Sequence, residues 1–171
     1  MPMTSPSAHM PDRAQRPHGP IGPEEERTIA QLVAVLYREG RLVSAVRLLR
    51  GLTSLRPENG AYWSALGGVL TRMERYEEAL PILSLAIHLR PRDIAAYVNR
   101  AECHLALGHV RAAAADLDRA MALDPDGHHP DAHRARCMAF SAYRFFEAAH
   151  QAGLDTIPVE LDATGTVPKN G

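Results

Sequence analysis

The chain has 171 residues, 46% of them hydrophobic and 23% charged, as in an ordinary soluble globular domain. A formal charge of −1 argues against a duplex nucleic-acid surface, because such binding rests on neutralising phosphates. Two cysteines are too few for a disulfide framework and fit a reducing compartment, and the longest apolar runs, such as 32–37, fall far below the roughly 18 residues of a membrane span. A cystine-rich toxin and an integral membrane protein are thereby excluded, and direct membrane insertion is not expected.

In chain order, residues 1–22 are rich in Pro, Ser, His and Gly and poor in large apolar residues, so disorder is expected there. No basic start leads into an apolar stretch, so no secretory signal is expected. A repeat then sets in. Pro57, Pro91 and Pro125 each follow a Leu-X pair and stand 34 residues apart. Each ends an apolar helical pattern, since proline lacks an N–H and its ring clashes with the preceding turn. The units are 26–59, 60–93 and 94–127. Apolar spacing places helices at 23–39, 42–55, 60–73, 76–89, 94–106 and 109–122. Pro23 suits a first helical turn, and Glu24, Glu25 and Glu26 complement the dipole there. Gly40 and Gly108 serve as turns.

The second unit holds Trp63, Leu66, Gly67, Leu70, Ala79, Leu83 and Ala86 at unit positions 4, 7, 8, 11, 20, 24 and 27. Small residues at three of these let antiparallel helices approach, and large ones fill the space a turn away. The third unit departs at Arg100 and His104, and the first at Val33 and Leu52. This spacing is identified as the tetratricopeptide repeat, and the fold class it implies is an all-α superhelix of three helix–turn–helix units. Such units bury their apolar faces only by stacking. A seventh helix over 130–150 carries Ala135, Met138, Ala139, Ala142 and Phe146 on one face and Arg134, Arg136, Arg144 and Glu147 on the other, as a terminal cap would. The assignment is thus a repeat domain over 23–150 between a proline-rich tail, 1–22, and a flexible tail, 151–171. Within that tail, the stretch 157–161 is a weak candidate for docking back.

No catalytic constellation emerges. Cys103 and His104 are neighbours on a helix, so their side chains diverge by about 100°. Asp116 and Asp118 do not face each other. Cys103 and Cys137 stand 34 apart, at equivalent positions that take a small buried residue. His128, His129 and His133 read as a solvated helix start; His129 and His133 are one turn apart, with no third metal ligand evident. The chain is read as non-enzymatic, with no cofactor and no metal.

A binding module remains. Tetratricopeptide geometry implies that the first helix of each unit lines a concave groove. The residues it assigns to peptide binding are Arg27, Ala34, Tyr37 and Arg38, then Ser64, Gly68, Thr71 and Arg72, then Val98, Asn99, Glu102 and Leu105. Ala30, Ala61 and Ala95 share that face, and so many small residues leave room for bulky apolar anchors. Relatives that grip the acidic C-terminus of heat-shock proteins carry Lys and Asn at five positions. Here those are Ala30, Ala34, Ala65, Ala95 and Asn99, so that clamp is absent.

The stretch from Ala101 to Gly108 and the alanines 112–115 resemble the third repeat of the SycD/LcrH chaperones of type III secretion, as does the plan of three units and one capping helix. That resemblance implies a cytoplasmic chaperone that shields an apolar segment of a client protein, held as an extended peptide. The family usually has an N-terminal helix ahead of the repeats that aids dimerisation; the proline-broken 1–22 argues against that dimer mode here, and a homodimer of another kind is left open. The alternative is a scaffold that joins folded proteins. An RNA-binding repeat would need a basic groove, and the balanced charge argues against one.

Overall fold

A computed structural model describes residues 22–151, so the calls on the 1–22 tail, except for Gly22, and on the tail from 152 onward lie outside the described residues. Seven helices follow one another: α1 (Pro23–Arg38), α2 (Leu42–Leu55), α3 (Gly60–Arg72), α4 (Tyr76–Leu89), α5 (Ile94–Ala106), α6 (Val110–Leu123) and α7 (Pro130–Gln151). No strand occurs among the described residues. The expected all-α architecture is present, with bounds within a residue or two of those the spacing predicts.

Local chemistry sets the helix ends. Glu25 reaches back to the Gly22 amide at 2.7 Å ahead of α1. Asn59 and Asp93 begin α3 and α5 with side chains that accept from Ala61 N and Ala96 N. The turn inside each pair falls on Gly40, Glu74 and Gly108, 34 residues apart, and all three have positive φ. Two are glycines, which take this conformation freely; Glu74, at φ 59°, carries the strain of a side chain in the left-handed region. α4 continues through Pro81, which is exposed.

Packing joins α1 to α2, α3 to α4 and α5 to α6, and each pair stacks on the next through α2·α3, α4·α5 and α3·α5. The positions of closest approach are stripped of side chain. Ala45, Ala79 and Ala113, again 34 apart, are fully buried. A Cβ on Gly67 would stand 2.4 Å from Leu83 Cδ2 and 2.5 Å from its Cγ. Leu49, Leu52, Leu66, Leu70 and Leu83 fill the space around these contacts. Burial of each such side chain contributes roughly 1.5–3 kcal/mol.

The two departures in the third unit have different outcomes. Arg100 forks onto Asp116 at 2.8 and 2.7 Å, donates to Ser84 at 3.0 Å and lies near the Tyr97 ring. Hydrogen bonding to the Asp116 carboxylate holds its guanidinium further above the ordinary range. A polar lock therefore replaces the usual leucine. His104 sits at the end of α5 with its ring against His109, Nδ1 to Nδ1 3.4 Å.

α7 packs on α5 and α6. Ala132 and Ala135 are fully buried, Met138, Ala139 and Ala142 partly so, and the Phe146 side chain lies outside the described residues. The expected solvent face of the cap is corrected at two positions. Arg136 turns inward to the carbonyls of Asp124 and Pro125, and Arg134 turns to Asn99 and Glu102. Spacing along one helix cannot reveal partners 11–35 residues away. His129 is exposed at the start of α7, as expected, and its Nδ1 accepts the Asp131 amide at 3.2 Å.

Two glycine substitutions separate backbone cost from packing cost. Gly51 sits in α2 with nothing within 4 Å of an added Cβ, so Gly51→Ala raises stability by about 0.5–1 kcal/mol. Gly67→Ala gains the same helix propensity but collides with Leu83, and lowers stability by about 1–3 kcal/mol. Denaturant titration of both variants reads the opposite signs. In the same assay Asp116→Ala costs about 3 kcal/mol, because it strands the Arg100 charge.

Candidate functional site

α1, α3 and α5 lie side by side and present a concave face with a cavity of about 570 Å³. Its lining includes Ala30, Ala34, Ala61, Ala65, Gly68 and Ala95. None of it comes from α2, α4 or α6. The four alanines that replace the heat-shock clamp all line this cavity, so their loss of charge is also a gain of apolar volume. Val33 and Val69 belong to the core beneath it, and Ser64 contributes a buried hydroxyl.

The twelve residues assigned from sequence distribute unevenly. Ala34, Tyr37, Arg38, Ser64, Gly68 and Asn99 line the cavity together. Arg72 lies at its edge, with its guanidinium 4.4 Å above the Tyr37 ring and a 2.7 Å hydrogen bond to the Tyr37 carbonyl. That contact holds Tyr37 in place and occupies part of the arginine's hydrogen-bonding capacity. Arg27 is exposed and paired with Glu24 at 3.0 Å, off the cavity. Val98 is fully buried and packs in the core with Tyr97 and Ala101. Thr71 is buried too; its hydroxyl donates to the Gly67 carbonyl at 2.9 Å and meets Cys103 Sγ at 3.2 Å. Glu102 is ion-paired with Arg134. Leu105 lines two smaller cavities further along, at α7.

Three polar residues of this face escaped sequence reasoning. Arg90 and Asp93 line the cavity from the turn between α4 and α5, paired at 3.1 Å. Their signal was available: the turn at Pro91 lies directly before α5, and Asp93 is its cap. Arg134 donates from α7 to Asn99 Oδ1 at 3.0 Å.

Asn99 is held from two sides in the groove. Its Oδ1 is taken by Arg134, while its Nδ2 lies 2.9 Å from where a Gly68 Cβ would stand. The missing side chain at Gly68 is what admits the amide. The donor end of Asn99 therefore lies over Gly68, which lines the same cavity.

The cysteines are not equivalent. Cys103 is buried, and burial pushes its thiol up. Cys137 is exposed and sits 3.7 Å from His133 Nε2, contrary to the expectation that both occupy small buried positions. Among the described residues no group of three or more His, Cys, Asp or Glu side chains is arranged to hold a metal ion, and no helix is long and apolar enough to cross a membrane.

Comparison with known proteins bears on this geometry. Residues 66–139 match the tetratricopeptide repeat family model. Protein FlbA of Caulobacter vibrioides is 29% identical over 99 residues, 58% of this chain and 17% of FlbA. Among solved structures, PcrH in complex with the chaperone binding region of PopB is 25% identical, with TM-score 0.63 over 68% of this chain and 96% of that one. The TPR2B domain of yeast Sti1 in its pHsp70 complex is 18% identical, with TM-score 0.64 over 70% of this chain and 96% of that one. The chain spans 17% or less of the length of the curated relatives it matches. These findings support a tetratricopeptide repeat protein, and its fold is the tetratricopeptide superhelix.

Thiol labelling checks the burial pattern. Iodoacetamide at pH 8 modifies Cys137 in the native protein, whereas Cys103 reacts only once the chain is unfolded. Equal native rates at both would contradict the packing of α5.

Proposed function

We propose that this protein is a non-catalytic binding module that holds an extended apolar segment of a client protein in the groove of α1, α3 and α5. The observation that carries the reading is the cavity of about 570 Å³ walled by alanine and glycine on a rigid helical face. Small walls leave volume for large side chains, and buried anchors in pockets supply most of the energy of such interfaces. Charge on the lining is sparse and partly self-compensated, since Arg90 pairs with Asp93. Arg38 in the lining bonds only the Ala34 carbonyl and is left to meet a main-chain carbonyl or a carboxylate of the client, while the small apolar walls favour apolar anchors.

The finer reading is a cytoplasmic secretion chaperone. Its support is the likeness to PcrH, solved with the chaperone binding region of PopB, together with this chain's three helix pairs and terminal helix, a plan that resembles the SycD/LcrH chaperones. On this reading the client is an aggregation-prone protein of type III secretion, shielded before export.

Ala34 is exposed, lines the cavity and packs against no core, so Ala34→Trp fills the groove without disturbing the fold. The variant is expected to lose the co-purifying client by at least tenfold while unfolding at the same denaturant concentration. Client retention at the parental level would contradict the groove as the binding site. Co-expression separates the chaperone from a scaffold: a chaperone keeps its client in the soluble fraction, and a scaffold leaves it unchanged.

A further inference from the structure

The helix at the end of a stacked array normally turns a polar side to water. α7 departs from this: Phe140 and Tyr143 are 65% and 63% exposed. Between α7 and the adjoining ends of α5 and α6 lies an apolar cleft made of two cavities, of about 480 and 210 Å³. Leu105, Val110 and Ala142 are walls of both, so the two are continuous. Phe145 borders the larger and Tyr143 the smaller. This cleft has no lining residue in common with the cavity of α1, α3 and α5.

We propose that the stretch 154–161 of this same chain folds back along α7 and covers the cleft, with Ile157, Val159 and Leu161 as its anchors. The proposal is independent of what the groove holds. Reach allows it. Ser141, on the wall of the larger cavity, lies about 15 Å before Gln151 along the helix, at 1.5 Å per residue. The six residues 152–157 cover about 20 Å when extended, at about 3.3 Å each. The reversal falls on suitable residues: Gly153 follows the end of α7, and apolar Leu154 follows it, the pattern by which a chain leaves a helix and turns back on its last turn. The anchors suit an apolar cleft. Pro158 interrupts a helix and holds Ile157 extended, and in extended chain Ile157, Val159 and Leu161 share one side while Glu160 faces the other. Charge agrees: 152–171 carries Asp155, Glu160 and Asp162 against Lys169, and exposed Arg111 and Arg144 are chain neighbours of the wall residues Val110, Tyr143 and Phe145. Among the described residues the acid in the lining is Asp118, in the smaller cavity. Docked there, 154–161 closes the apolar end of the stack.

Amide hydrogen exchange of the full chain, read by mass spectrometry, tests this. Peptides spanning 154–161 are expected to exchange about tenfold slower than an unstructured chain of the same sequence. Ser141→Trp, at an exposed wall position, fills the larger cavity and returns them to the unstructured rate. A second variant, Ile157→Ser with Leu161→Ser, removes the anchors from outside the seven helices. It raises alkylation of Cys137, which lines the larger cavity, about fivefold over the parent chain. Buried Cys103 stays unreactive in both variants while the helices remain packed, and if Ser141→Trp fails that check the anchor variant decides alone. Exchange of 154–161 at the unstructured rate in the parent chain overturns the proposal. So does protection that survives Ser141→Trp in a packed chain, which places the stretch elsewhere, and so does a Cys137 rate indifferent to the anchors. Protection that fades on about tenfold dilution assigns the cleft to a second copy and overturns the fold-back.

Discussion

The whole architecture depends on how closely the two helices of a unit can approach. In the second unit a hydrogen takes the place of a side chain at Gly67, and Leu83 fills the space a Cβ would need. Ala79 faces the same contact from α4, fully buried, and Ala45 and Ala113 repeat it in the units before and after. Close approach makes each pair a rigid slab, and interior packing at crystal-like density tolerates little deviation from it. Slabs of equal thickness stack in register, which brings α1, α3 and α5 to one side and α2, α4 and α6 to the other. The groove is a consequence of that stacking. Its small residues do a second, separate job, since the alanines at 30, 34, 61, 65 and 95 line the cavity rather than a helix contact.

Polar groups then decide what the apolar groove admits. Arg72 folds over Tyr37 and limits one edge. Arg90 and Asp93 answer each other at the turn, and Glu102 answers Arg134 at the far end. Arg38 and Arg72 bond only backbone carbonyls and keep the α1–α3 edge positive, whereas these pairs leave little net field at their own ends of the groove. The absence of the Lys and Asn clamp points the same way. The selectivity argued for this groove therefore follows from volume, apolar lining, the positive α1–α3 edge and one oriented amide.

Much of the fold was legible in the sequence because it is periodic. Three prolines 34 residues apart fixed the unit, and small and large residues at fixed offsets fixed the helix contacts; the helix bounds followed. The groove was legible in part. Side chains that point inward on an ideal repeat were nameable, and six of them line one cavity. Val98 and Thr71 went into the core because α5 and α3 are flanked on two sides, which narrows the strip of each helix that reaches the groove. Glu102 and Asn99 were identified, but Arg134 was not, since a contact between residues 35 apart leaves no trace in helical periodicity. Arg136 was misread for the same reason: a polar residue on the outer face of α7 was taken for a solvated one when its partners, the Asp124 and Pro125 carbonyls, lay in the preceding turn.

A photo-crosslinking amino acid placed at Ala65, on the groove wall, and separately at Arg47, on the exposed side of α2, tests the central claim most directly. Irradiated in the native host, the Ala65 variant is expected to crosslink to one partner, and mass spectrometry is expected to place the adduct within a short apolar stretch of it. The Arg47 variant is expected to leave that stretch unlabelled. Crosslinking of the same stretch from Arg47 and none from Ala65 would contradict the groove as the place where the client is held.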